Sequence, residues 1–419
     1  MDKKALKPRL RFANFTDAWE QRKLGDIMAV TSVKRIHQSD WQDQGIRFLR
    51  ARDIVSFMNN EEPDDPLYIS KEKYEEYSKI SGKVEIDDLL VTGVGTIGVP
   101  YLIKSSTPIY FKDGNIIWFR NNKNIGGPFF YYSFTSSQIQ NFIKESAGIG
   151  TVGTYTIESG KKTPISLPQK QEQVRVGTFF NQLDNLITLH QRKLEKLGNV
   201  KKSLLEKMFP QKNSTTPKVR FKGFTDAWEQ RKLGDIMAVT SVKRIHQSDW
   251  QDQGIRFLRA RDIVSFMNNE EPDDPLYISK EKYEEYSKIS GKVEIDDLLV
   301  TGVGTIGVPY LIKSSTPIYF KDGNIIWFRN NKNIGGPFFY YSFTSSQIQN
   351  FIKESAGIGT VGTYTIESGK KTPISLPQKQ EQVRVGTFFN QLDNLITLHQ
   401  RKLEKLQNIK KACLEKMFV

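Results

Sequence analysis

Residues 15–197 recur without a single change at 224–406, so that Trp19 corresponds to Trp228 and His190 to His399. Each copy must therefore be a complete folding unit, and whatever chemistry one copy carries the other carries too. A solenoid repeat spans roughly 20 to 50 residues; a period this long is a duplicated domain. Within a copy two textures follow one another. From about Trp19 to Pro168, short β-rich runs (GIRFL, DLLVT, PIYF, NIIWF, TPISL) are interspersed with helical pieces such as KEKYEEY and SQIQNFIKE, which predicts a mixed α/β (α+β) globule. After Pro168 no proline appears until Pro210, and Val176, Phe180, Leu183, Ile187, His190, Leu194, Leu197, Lys201, Leu204 and Met208 step by four and three alternately. That spacing lays one seam along a helix of roughly 40 residues, about 60 Å long.

The second copy ends in the same helix, with seam positions Phe389, Leu392, Ile396, His399, Leu403 and Leu406, and with Leu204 replaced by Cys413. One such helix would expose its seam, whereas two in one chain can cover each other as an antiparallel coiled coil. Antiparallel pairing predicts that Lys201 and Lys410, near the carboxyl ends, each face the amino-terminal part of the other helix. A polar residue such as His190 in the seam serves to fix register. The expected boundaries are a globule over 1–168, a helix over 169–210, a polar, proline-marked linker over 211–218, a second globule over 219–377 and a last helix over 378–419.

With 61 Lys and Arg against 47 Asp and Glu, the formal charge is +14 and the sequence pI about 9.4, which favours an acidic partner such as nucleic acid. The start MDKKALKPRLRF has no apolar signal region and no run approaches the length of a membrane span, so a cytoplasmic protein with no membrane partner is expected. The single cysteine, Cys413, excludes an intrachain disulfide, and with four histidines in all neither a metal site nor a catalytic cluster is expected.

Two segments read G-x-G-x-x-G: GVGTIG at Gly93–Gly98 and GIGTVG at Gly148–Gly153. A dinucleotide site needs a helix next, because its N-terminal amides meet the pyrophosphate. Val99 and Pro100 lead instead into LIKSSTPIYF, which is β-branched, aromatic and interrupted by Pro108, and the second motif leads into TYTIESGKK, which also reads as strand. Both are therefore glycine loops at strand ends, whose bare backbone either supplies a tight turn or lets amides approach a polyanion.

In this order the motifs resemble those of the DNA-specificity subunits of type I restriction-modification enzymes. The resemblance rests on WEQRKLGDI, IRFLRARDI, DDLLVTGVGTIG and above all ISLPQKQEQVRVGTFFNQLDNLITLHQRKLEKL, each present twice. It implies two target-recognition domains, each reading half of a bipartite site on double-stranded DNA and held apart by antiparallel helices. It also implies a non-catalytic chain that docks two adenine-methyltransferase subunits and, in the full complex, motor-nuclease subunits. S-adenosylmethionine, ATP and Mg2+ are then expected on those partners, and no cofactor on this chain. Family members usually carry two unlike recognition domains; identical ones imply an inverted-repeat target. The competing reading is a coiled-coil scaffold with two protein-binding heads, which gives no reason for glycine loops beside basic segments.

Phosphates are met by Lys, Arg and glycine-loop amides, and bases by directional donors. The DNA-binding candidates are Lys34, Arg35, Arg50, Arg52, Thr92, Thr96, Tyr155 and Lys161, with counterparts Lys243, Arg244, Arg259, Arg261, Thr301, Thr305, Tyr364 and Lys370. Arg52 beside Asp53 also reads as a structural ion pair. The run PFFYYSF at Pro128 reads as core, and the acidic turn NNEEPDDP, starting at Asn59, should face away from DNA.

Overall fold

The computed structural model describes residues 6–121, 123, 125–147, 153–211, 214–330, 332–356 and 362–419. Two compact units emerge, Met1–Gln191 with Arg401–Val419, and Arg192–Gln400. Each unit therefore contains one globule, the start of the long helix that follows it and the end of the other long helix. The second unit repeats the elements of the first in the same order, so one set of labels, numbered along the first unit, serves both.

The strands are β1 (Glu20–Lys23), β2 (Ala29–Thr31), β3 (Trp41–Gln42), β4 (Ile46–Leu49), β5 (Leu67–Ile69), β6 (Leu89–Thr92), β7 (Pro100–Leu102), β8 (Ile109–Phe111), β9 (Ile116–Arg120) and β10 (Pro164–Leu167). The helices are α1 (Leu24–Ile27), α2 (Ala51–Met58), α3 (Lys71–Ser81), α4 (Gly127–Thr135), α5 (Ser137–Ser146) and α6 (Ile157–Lys162), followed by the central helix, Lys170–Lys207. The strands form an antiparallel sheet in the order β2-β9-β6-β7, a mixed sheet β3-β5-β4-β8 in which β4 and β8 run parallel, and a β1-β10 ribbon.

Both faces of the β6–β9 pair are covered. Leu89, Val91, Ile117 and Phe119 face a core built with α4, α5 and the central helix, while Leu90, Ile116 and Trp118 face a second core with Leu49 and Phe111 of the other sheet. Burial on both sides explains why these strands read as continuous apolar runs without a period of two. The PFFYYSF run is core as its composition suggests, with Phe129, Phe130, Tyr132 and Phe134 buried on α4. The strand reading of TYTIESGKK is corrected: the Thr156 hydroxyl accepts the Ser159 N–H, caps a helix, and Ile157–Lys162 forms α6.

The long helices meet head to tail within each unit. In the first, Lys410 Nζ lies 2.6 Å from Asp184, and Phe418 packs against Phe180 at 5.8 Å and Phe129 at 5.7 Å. In the second, Lys201 Nζ lies 2.6 Å from Asp393, and Phe209 packs against Phe389 and Phe338. Each lysine thus faces the amino-terminal part of the other helix, as antiparallel packing requires. Val176, Phe180 and Leu183 are buried in the globule's core; Ile187, Leu194 and Leu197 are half-buried, while Leu186 and Leu189 stay exposed off the seam.

Candidate nucleic-acid interface

Strand register gathers a set of loops at one end of each unit. Thr31 at the end of β2 lies opposite Trp118, Thr92 at the end of β6 lies opposite Ile116 at the start of β9, and Phe111 at the end of β8 lies beside Leu49 at the end of β4. The segments after β2, β4, β6 and β8 therefore leave from the same end of the two sheets. Three of them carry predicted residues.

The first glycine loop is built for close approach. The Gly93 N–H donates to the Asn115 carbonyl at 2.8 Å, the Tyr155 N–H donates to the Gly93 carbonyl at 2.9 Å, and a Cβ on Gly93 would stand 2.5 Å from the Tyr155 carbonyl oxygen. Gly95 and Gly98 sit at φ +75° and +79°, a conformation that suits glycine. Gly95 opens to empty space, and Thr96 beside it is exposed. The same contacts bring the segment after the second glycine loop against the first. Of that second loop, Gly148–Val152 lie outside the described residues.

Lys34 and Arg35 follow β2. The Lys34 N–H donates to Ser81 Oγ at 2.7 Å and its carbonyl accepts from the Tyr110 hydroxyl at 2.9 Å, so the backbone is fixed while the ammonium rests over the Tyr77 ring. Arg35, 70% exposed, reaches Asp113 at 2.9 Å. In the second unit Asp322 Oδ1 is buried without a hydrogen bond. Lys243 and Arg244 are exposed like their counterparts.

Several predicted contacts are corrected. Arg50 leaves the right end of β4 but is only 14% exposed, its guanidinium bridging buried Asp53 at 2.8 Å and Asp65 at 3.1 Å. Arg52 pairs with Asp65 rather than with Asp53. Hydrogen bonding to Arg50 holds the Asp65 carboxyl below the usual range. Arg259 and Arg261 are engaged in the same way with Asp262 and Asp274. The acidic turn thus neutralises these arginines. Thr92 and Thr301 are fully buried, the Thr92 hydroxyl donating to the Thr96 carbonyl and accepting from the Val99 N–H. Tyr155 and Tyr364 are core residues at 2% exposure, hydrogen-bonded to Thr163 and Thr372, and burial pushes both phenols up. Thr305 is exposed like Thr96. Lys161 and Lys370 are exposed on their short helix; the Lys161 stem packs against Gly25 of α1, and Lys370 lies 3.5 Å from Glu367.

Two features escaped the sequence. The turn Lys112–Asn115 after β8 completes the loop cluster, and its Asp-Gly-Asn chemistry was the available signal. Arg11 makes a bidentate pair with fully buried Glu172 at 2.7 and 2.8 Å, which ties the segment before β1 to the start of the central helix; Arg220 and Glu381 repeat it. Among the described residues no group of His, Cys, Asp or Glu is arranged to hold a metal, and no helix is long and apolar enough to cross a membrane.

Loops that carry cations and bare backbone thus gather at one end of a sheet pair, once in each unit. A sequence model of the type I restriction modification DNA specificity domain matches residues 16–199 and again 225–408, and the chain belongs to that family. The specificity subunit of the type I restriction enzyme MjaVIII from Methanocaldococcus jannaschii is 24% identical over 417 residues, covering 89% of this chain and 90% of its own. A putative type I specificity subunit from Haemophilus influenzae is 28% identical over 164 residues, covering 39% of this chain and 40% of its own. In fold, the chain is similar to the crystal structure of a type I restriction-modification S subunit from M. genitalium, with a TM-score of 0.62 at 15% identity and 99% of both chains covered.

Proposed function

We propose that the chain binds double-stranded DNA in a sequence-specific manner and, without catalytic groups of its own, directs adenine-N6 methylation and restriction by partner subunits. The observation that carries this reading is the loop cluster, built twice within the two segments that match the specificity-domain family. Lys34, Arg35, Lys243 and Arg244 hold phosphate, and the open glycine loops bring backbone amides close to the duplex. Two adenine-methyltransferase subunits bind the chain and supply S-adenosylmethionine chemistry; motor-nuclease subunits supply ATP- and Mg2+-dependent cleavage. The setting is the cytoplasm. Because the two readers are identical in sequence and the helices that carry them run antiparallel, the target is an inverted repeat with an unread spacer.

The test is reconstitution. Purified chain should neither methylate nor cleave DNA, and N6-methyladenine should appear only when the methyltransferase subunit is added. Methyl transfer by contaminant-free chain alone would refute the division of labour.

A further inference from the structure

The turn between β8 and β9, Lys112-Asp113-Gly114-Asn115, is held at every point except one. The Lys112 N–H donates to the Leu49 carbonyl at 2.8 Å, Asp113 receives Arg35 at 2.9 Å, and Gly114 takes φ +71°. The Asn115 carbonyl accepts the Gly93 N–H at 2.8 Å, and the next residue enters β9 opposite Thr92. The backbone of Asn115 is thus fixed on both sides. Its half-buried side-chain amide makes no hydrogen bond to any described residue, and neither does that of Asn324, whose carbonyl is fixed identically by Gly302 at 2.8 Å.

An amide on a fixed backbone, with donor and acceptor both unspent among the described residues, matches the N7 acceptor and N6 donor that adenine shows in the major groove. Charge points the same way. Lys112 belongs to the turn itself and Arg35 is bonded to it, so the turn carries cations for phosphate in the same short segment as a neutral amide suited to a base edge. We propose that Asn115 and Asn324 are specificity-determining residues, each reading one adenine per half-site. This rests on the DNA-reading function proposed above.

The experiment is selection from a pool of random duplexes by the full-length chain and by its Asn115→Ala/Asn324→Ala variant. The wild type should enrich an inverted repeat; the variant should relax at one symmetric A·T position, losing about ten- to hundredfold in preference there and keeping the rest. In the enriched site, 7-deazaadenine at that position, which removes N7, should weaken the wild type and leave the variant indifferent. If the alanine variant does not fold, Asn115→Asp/Asn324→Asp keeps the turn chemistry but loses the donor–acceptor fork, and should turn the preference away from adenine. Unaltered base preference in a folded variant overturns the assignment alone. A wild-type chain that enriches no sequence overturns the DNA-reading function, and the assignment falls with it.

Discussion

Arg50 shows what a residue list drawn from sequence can and cannot carry. An arginine in a basic segment beside a strand end reads as a DNA contact, and its place at the loop end is as expected; its guanidinium, however, is claimed by Asp53 and by Asp65, fifteen residues on in the acidic turn. No local pattern announces a partner at that distance. The consequence is that Arg50→Ala/Arg259→Ala should act on stability first, at about 3 kcal/mol per unit, because each change leaves a fully buried carboxylate without its cation. Urea unfolding measures this; full stability with weakened DNA binding would return these arginines to the interface. The pair also sets an acid sensitivity. Asp65 titrates below its unfolded value, so its contribution is present above a pH of about 4 and is lost as pH falls through the lowered value. Replacing Asp65 and Asp274 by Asn should flatten the fall in melting temperature over that acid range, and an unchanged pH profile would argue against the linkage.

Among the elements, the strands were legible and their partners were not. GIRFL, DLLVT, PIYF, NIIWF and TPISL all form strands, but apolar composition cannot tell which strand neighbours which, and it is register that brings the loops after β2, β4, β6 and β8 to one end. The six-residue α6 was missed because its β-branched residues read as strand while the Thr156 cap decided otherwise. The glycines of the first motif were read correctly as loop formers, yet the sequence could not separate Gly93, which abuts the Tyr155 carbonyl, from Gly95, which meets nothing. Gly93→Ala should therefore destabilise the unit by pushing the Tyr155 segment off the loop, whereas Gly95→Ala should cost only the strain of positive φ, about 1 kcal/mol. Equal melting temperatures for the two variants would contradict this geometry. The long helices were legible in the heptad spacing, but the anchor at the end of the last one was not: Phe418 inserts beside Trp19, Phe129 and Phe180. Phe418→Ala should cost about 3 kcal/mol and raise hydrogen exchange along residues 401–419; protection equal to wild type would show that the aromatic cluster does not hold the tail.

For the molecule as a whole, the exact repeat carries the most consequence. Among the described residues the two copies fold alike, with the same loop cluster, the same Arg–Glu clasp and the same antiparallel helix contact in each unit. Under the proposed function, two copies of identical sequence share one specificity. Genome-wide sequencing of modified bases, in a host expressing this chain together with its methyltransferase partner, reads that specificity out. The expected result is N6-methyladenine on both strands of one motif, made of two identical, inverted half-sites around a spacer of fixed length. A motif with unlike halves, a direct repeat, or no new methylation when both proteins are present and folded would contradict it.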